Sequence, residues 1–227
     1  LIGENGSGKS TFCSIVAGAL EMDSGELELH GEKYEVKSMV EAQNHGVAMI
    51  VQEAATFPGL DVASNIFAGR LEQYTKCGFL DWNTIYAEAD RILEDIGVPE
   101  IKGRMNIEQL NFEDRKIVEI ARAMVNKPEI LIIDETTTAL ATKGRKLIYA
   151  LIERMHKENK AVLFISHDLD ELMERCNTIT VLRDGLIIDT LDRENMSIER
   201  MRSLMIGREL QGDYYRPDFD GNCSEEV

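Results

Sequence analysis

The run Gly3-Glu4-Asn5-Gly6-Ser7-Gly8-Lys9-Ser10, followed by Thr11, constrains this chain more than any other stretch, because it fits the spacing G-x-x-x-x-G-K-[ST]. A triphosphate needs a concave array of backbone N–H groups and the positive end of a helix dipole, and glycines at 3, 6 and 8 let the chain turn tightly enough to provide both. Lys9 supplies a point charge for the β- and γ-phosphates, and the Ser10 hydroxyl is placed to ligate Mg²⁺. With glycine at roughly 7% of residues, the fixed positions match by chance in about one chain in a hundred of this length. Residues Asn5, Gly6, Ser7, Gly8, Lys9, Ser10 and Thr11 are therefore read as an ATP phosphate cradle. The helix it opens is expected over about 9–19, with Phe12, Ile15, Val16 and Leu20 on one apolar face, stopped by Gly18 and Asp23-Ser24-Gly25. Such a cradle follows a buried strand, yet only Leu1 and Ile2 precede it, so the natural protein is expected to extend further upstream.

Downstream, polar residues recur at the ends of short aliphatic runs. Val47 to Val51 reads as a buried parallel strand ending in Gln52, Ile130-Leu131-Ile132-Ile133 ends in Asp134-Glu135, and Ala161 to Ile165 ends in Ser166-His167-Asp168. Ligands of open α/β sheets bind at the carboxyl ends of the strands, which makes Gln52, Asp134, Glu135 and His167 site candidates. Two adjacent carboxylates at a buried strand end are costly to desolvate unless they meet a cation. A Mg²⁺-binding Asp134 beside a water-activating Glu135 is what phosphoryl transfer to water requires.

The segments between these strands read as a small hairpin over 25–34, short helices near 38–45 and within 56–69, and helices over about 82–96 capped by Asp81, 112–125 capped by Asn111, and 143–157. Asp168 is placed to cap a helix to about Cys176, two strands at 178–182 and 186–189 flank Arg183-Asp184-Gly185, and 198–206 is amphipathic. The apolar, loop-rich segment from Thr56 to Gly69 has the character of a surface that packs on another protein. His30 and Trp82 are read as a surface residue and a packing residue, and the region beyond Gly207 as a linker without periodicity.

The balance of 25 Lys+Arg against 41 Asp+Glu, a net charge of −16, repels a polyanion and argues against nucleic acid as a partner. Cys13, Cys77, Cys176 and Cys223 are far apart and form no C-x-x-C pair, which fits a reducing compartment better than a disulfide framework or a zinc site. No apolar run approaches 18 residues, so membrane contact would go through a partner.

The order of these motifs resembles the ATP-binding subunit of ABC transporters, and most closely the sugar-importer branch, over about 1–210. Beyond the phosphate loop, it rests on Val51-Gln52-Glu53, Asn65-Ile66-Phe67-Ala68-Gly69-Arg70, Gly78-Phe79-Leu80-Asp81-Trp82, Val118-Glu119-Ile120-Ala121-Arg122-Ala123, Ile130 to Glu135 (Walker B), Ile165-Ser166-His167 and Thr180 to Gly185. Met205-Ile206-Gly207-Arg208-Glu209-Leu210 looks like the end of the first of two cassettes in the tandem sugar-importer ATPases. The resemblance implies an α/β P-loop NTPase with a mostly parallel core sheet flanked by helices, a helical subdomain over about 61–127, a truncated antiparallel β subdomain, and a linker over 211–227. It implies ATP sandwiched between two cassettes, with Lys9 at the β/γ-phosphates, Mg²⁺ held by Ser10, Gln52 and Asp134, Glu135 polarising water and His167 at the γ-phosphate. Its implied partners are transmembrane permease subunits, a second cassette and, indirectly, a periplasmic or extracellular solute-binding protein, at the cytoplasmic face of the membrane.

Three departures from the family pattern stand out. The signature L-S-G-G-Q aligns with Leu110-Asn111-Phe112-Glu113-Asp114, where Phe112 is bulky and two carboxylates bring like charge toward a partner's γ-phosphate, which predicts a weak or inactive site there. Thr136 replaces the family's Pro, and Ala141 replaces the Asp of many members. The aromatic that stacks on adenine has no counterpart here, so the isolated fragment is expected to bind ATP weakly. Two other readings are a regulatory nucleotide-binding module with little hydrolysis and a soluble ABC ATPase acting on DNA or ribosomes; the retained Lys9, Asp134, Glu135 and His167 oppose the first, and the charge opposes the second.

Overall fold

The computed structural model describes residues 1–51 and 56–207, apart from the side chains of Thr138 and Ala139. The elements in chain order are β1 (Ile2–Gly3), α1 (Lys9–Val16), β2 (Glu28–Leu29), β3 (Glu32–Lys33), α2 (Met39–Asn44), β4 (Val47–Ile50), α3 (Val62–Ile66), β5 (Thr75–Lys76), β6 (Phe79–Leu80) and α4 (Trp82–Asp95). They continue with α5 (Phe112–Met124), β7 (Ile130–Asp134), α6 (Thr142–Lys157), β8 (Ala161–Ile165), α7 (Leu169–Arg175), β9 (Thr178–Arg183), β10 (Leu186–Asp192) and α8 (Ile198–Ile206).

The aliphatic runs become a parallel group in the order β4-β7-β8, in which Val47 to Ile50 pair with Ile130 to Ile133, and Ile130 to Asp134 pair with Ala161 to Ile165. A second group, β1-β9-β10, pairs β1 parallel to β9 and β10 antiparallel to it. The Leu1 nitrogen donates to the Phe164 carbonyl at 2.8 Å, which sets β1 beside β8 and joins the two groups into one layer. The strand pleat then sorts the side chains between two faces. Ala48, Ile50, Leu131 and Ile133 pack with Ile117, Ile120 and Ile148 of α5 and α6, whereas Val47, Met49, Ile132 and Ile165 pack with Cys13, Ala17 and Tyr34. Helices thus cover both faces, and the carboxyl ends of β1, β4, β7 and β8 lie at one edge.

Most helix starts follow local capping rules. Ser38, Asp61, Asp81, Asn111, Asp168 and Ser197 each accept a backbone N–H from the first turn of the helix they precede. The β2–β3 and β9–β10 hairpins turn through His30-Gly31 and Asp184-Gly185, all with positive φ. His30 is on the surface, bridged to Glu129 at 2.7 Å, and Trp82 stacks on Tyr86 at 5.6 Å.

Two expectations are corrected. The first helix ends at Val16, and its inner face carries Lys9 and Cys13, with Ala17 beyond it buried as well; Phe12 and Leu20 are exposed. Periodicity identifies residues that share a face but not the face that meets the sheet, and here the phosphate loop rotates the helix. The segment 56–69 is likewise only half outward. Ile66 and Phe67 are buried in the core, while Phe57 and Leu60 are exposed. The hairpin β5–β6 is an addition to the turn expected around Gly78.

Candidate functional site

Helix α1 is preceded by Gly8 at its N-cap, whose φ is 98° and whose missing side chain leaves the first turn without a side-chain cap. This left-handed conformation is one that glycine adopts without strain, and it opens the first turn of the helix, whose leading backbone N–H groups have no partner within the helix. Lys9 is buried at 5% exposure, and its Nζ donates to the carbonyls of Gly3 and Glu4, both at 2.9 Å. The ammonium is thus held inside the curl of the loop, with Ser7 Oγ 3.5 Å away.

Behind the loop lies Asp134, the last residue of β7. It is buried, and the Ser10 hydroxyl hydrogen-bonds to its side chain. Its Oδ1 is buried and finds no hydrogen-bond partner among the described residues. Burial pushes the Asp134 carboxyl above the ordinary range; the Ser10 hydrogen bond opposes this, and neighbouring Glu135 adds to it. A carboxylate oxygen aimed into a buried space beside a hydroxyl is what a hard cation with mixed protein and phosphate oxygen ligands requires. The donor set therefore fits Mg²⁺, although the described residues hold no cluster of three or more His, Cys, Asp or Glu. Gln52, the third expected ligand, lies outside the described residues.

Glu135 and His167 come together from the ends of β7 and β8, with His167 Nε2 2.6 Å from Glu135 Oε1. Glu135 adopts a left-handed backbone, φ 47°, which turns its carboxylate toward β8. A residue preceding proline is pushed toward extended conformations, so Thr136 is compatible with this geometry where a proline would oppose it. Thr136 Oγ1 instead donates to the Asp134 carbonyl at 3.1 Å. Cys13 lies beside Asp134 but is buried, and its thiol is pushed up to about 12, so it remains protonated.

Two supporting groups were not visible as site residues in the sequence. Glu171 is buried and accepts from Ser166 Oγ (2.6 Å), Tyr149 Oη (2.7 Å) and Thr137 Oγ1 (3.1 Å), binding the loop after Glu135 to the strand end that carries His167. The available signal was its place four residues after His167, in a first turn capped by Asp168. On α5, Lys116 and Glu119 form a buried ion pair at 3.0 Å. Lys116 donates to the Val51 carbonyl and Glu119 accepts the Val51 N–H at 3.2 Å, so the pair grips the residue before Gln52 from both sides. Two charges at i and i+3 on a helix gave no indication that they pointed inward.

At the start of α5, Asn111 accepts the Asp114 N–H at 2.8 Å and donates to the Asp114 carboxylate at 2.9 Å, while Phe112 is exposed. Arg122 donates to the Asn65 carbonyl at 2.7 Å, and Asn65 holds Phe57 through both backbone groups, at 2.7 and 3.2 Å.

The model of the ABC transporter family matches residues 1–138. The chain belongs to the ABC transporter family. Within this family it is 37% identical over 211 residues to the ribose import ATP-binding protein RbsA of Caldanaerobacter subterraneus subsp. tengcongensis, covering 93% of this chain and 42% of the relative. It is 33% identical over 219 residues to the arabinose import ATP-binding protein AraG of Chromohalobacter salexigens, covering 96% of this chain and 44% of the relative. The chain thus spans less than half the length of these curated relatives. Among solved structures, a dimeric post-hydrolysis state of the ATP-binding cassette MJ0796 bound to ADP and Pi shares the fold with a TM-score of 0.69 and 24% identity, covering 84% of this chain and 83% of that one. CbiO1 of Clostridium perfringens, part of the ABC transporter complex cbiONQ, shares it with a TM-score of 0.67 at 24% identity, over 88% of this chain and 79% of that one. The α/β P-loop fold with a parallel sheet is therefore the ABC ATPase fold. Among the described residues, no helix is long and apolar enough to cross a membrane.

Proposed function

We propose that the protein carrying this cassette binds ATP with Mg²⁺ and hydrolyses it to drive uptake of a sugar. The observation that carries this reading is the orphaned, buried Asp134 Oδ1 beside Ser10, set next to the Glu135–His167 pair and behind the phosphate loop. Lys9 exchanges its contacts with the Gly3 and Glu4 carbonyls for the β- and γ-phosphates, and the amides of 5–11 cradle them. Ser10 and Asp134, with Gln52, would hold Mg²⁺, which when bound supplies charge neutralisation at the phosphate oxygens. Glu135 orients the attacking water and accepts its proton, while His167 positions Glu135 and reaches toward the γ-phosphate.

The sugar assignment rests on the ribose and arabinose import relatives. The domain layout proposed is a cassette over 1–210 with its helical subdomain over about 61–127, followed by a linker at 211–227. It works against permease subunits at the cytoplasmic face of the membrane through the segment around 52–69, where Phe57 and Leu60 are exposed. A second cassette in the same natural chain faces the phosphate loop, and a solute-binding protein acts through the permease. Because Leu110 to Asp114 departs from the signature pattern, the nucleotide at Lys9 is the one turned over, and the one facing Leu110 to Asp114 is the weaker.

The test is Glu135→Gln in the full-length protein. Turnover should fall by about 10²–10⁴-fold while ATP binding persists. Unchanged turnover with intact binding removes Glu135 from the catalytic role.

A further inference from the structure

Helix α6 begins without a cap of its own. Its N-cap residue is Ala141, which offers no side-chain oxygen to the backbone N–H groups of the first turn. The acceptor comes from another helix. Glu113 Oε1, in the first turn of α5, takes the N–H of Gly144 at 2.8 Å. Gly144 is the third residue of α6, the position whose N–H an N-cap side chain ordinarily takes. The carboxylate also lies at the positive end of the α6 dipole. The fit is close: a Cβ at Gly144 would lie 3.1 Å from Glu113 Oε1 and 2.8 Å from Leu140 Cδ2.

We propose that Glu113 caps α6 from α5, and that by doing so it is a positioning residue for the 136–141 loop that follows Glu135. Two departures from the family pattern, Glu113 within the signature and Ala141 at the start of α6, are then the two halves of one arrangement. An Asp at 141 would cap α6 from within; here that acceptor is missing, and the signature segment supplies it. The charge of Glu113 is consequently engaged inside its own chain rather than presented to a facing nucleotide. Nearby groups are closed in the same manner: Lys143 pairs with Glu100 at 2.5 Å, and Asn111 and Asp114 bind each other. The capping itself stands on geometry alone, whereas its consequence for turnover rests on the reading of Glu135 given above.

The experiment is a double-mutant cycle in the full-length protein with Glu113→Ala, Ala141→Asp and both together, plus Glu113→Gln as the conservative variant. Amide exchange at Gly144, melting temperature, kcat and KM are read for each. Glu113→Ala should raise Gly144 exchange about fivefold and lower the cassette's melting temperature by about 2–4 °C. Adding Ala141→Asp should reverse both, Glu113→Gln should keep most of the protection, and kcat should follow exchange with KM little changed. Independent, additive effects of the two substitutions, or Gly144 exchange unmoved by Glu113→Ala, overturn the cap. Coupled exchange with kcat unmoved, in a protein where Glu135→Gln abolishes turnover, overturns the positioning role. If Glu135→Gln also leaves turnover intact, the hydrolysis reading has failed, and the exchange coupling alone decides the cap.

Discussion

The carboxyl ends of the strands and the start of α5 are both rich in polar residues, yet they dispose of them in opposite ways. At the strand ends, Asp134 Oδ1 is buried without a hydrogen-bond partner among the described residues, and the Lys9 ammonium is turned inward onto the carbonyls of its own loop. At the start of α5, Asn111, Glu113, Asp114, Lys116 and Glu119 all engage groups of their own chain. A buried polar group without a partner costs stability, so it persists where a ligand can supply the missing bond. Where every polar group is closed on a neighbour, the contacts serve packing and position. On the proposed reading, the first region, with its orphaned oxygen, is the one that binds, and the second is the one that holds.

That contrast predicts that substitutions in the held region cost stability, and that those in the binding region cost affinity. The largest stability effect falls on the buried pair. Lys116→Met leaves Glu119 charged and buried and should destabilise the cassette by about 3–5 kcal/mol, with most of the loss recovered when Glu119→Leu is added. Denaturant unfolding of the two variants checks this, and equal losses in both would show the pair is not coupled. Lys9→Ala should weaken ATP binding by about a hundredfold or more with little change in the nucleotide-free melting temperature, as titration calorimetry would measure. A comparable loss of stability would move Lys9 into the held region. Glu171→Ala leaves the Ser166, Tyr149 and Thr137 hydroxyls without their acceptor and should cost about 1–3 kcal/mol by denaturant unfolding.

The smallest effect has the opposite sign. Folding raises the Asp134 pKa above its ordinary 3.8, so the folded state binds this proton more tightly than the unfolded chain does. The ionised carboxylate is then a cost to stability that is absent below pH 3.8, grows as pH rises through that value, and is fully present above the folded pKa. Asp134→Asn should therefore raise the melting temperature of the metal-free protein at neutral pH while removing Mg²⁺-dependent turnover. The stabilisation should fade as the pH approaches 3.8. Melting curves across that range check the sign.

Much of the binding region was legible because its signals are local. The glycine spacing ahead of Lys9, the aliphatic run into Asp134-Glu135 and the run into His167 each lie within a few residues. In the held region the Asn111 cap was legible, but the contacts of Glu113 with Gly144 and of Lys116 with Val51 were not, because they span long separations in the chain. A glutamate early in a helix reads equally well as a favourable charge on its own dipole, and that reading conceals its second role.

By itself, the sequence determined the phosphate loop, the parallel strands with polar ends, most helix starts and the family, since each depends on spacing along the chain. Only the tertiary structure decided that Cys13 and not Phe12 faces the sheet, that Glu171 ties the Glu135 and His167 loops together, and that α5 caps α6. Backbone spacing fixes which groups share a face or a turn, whereas the partner a buried polar group finds depends on which elements the fold brings against it.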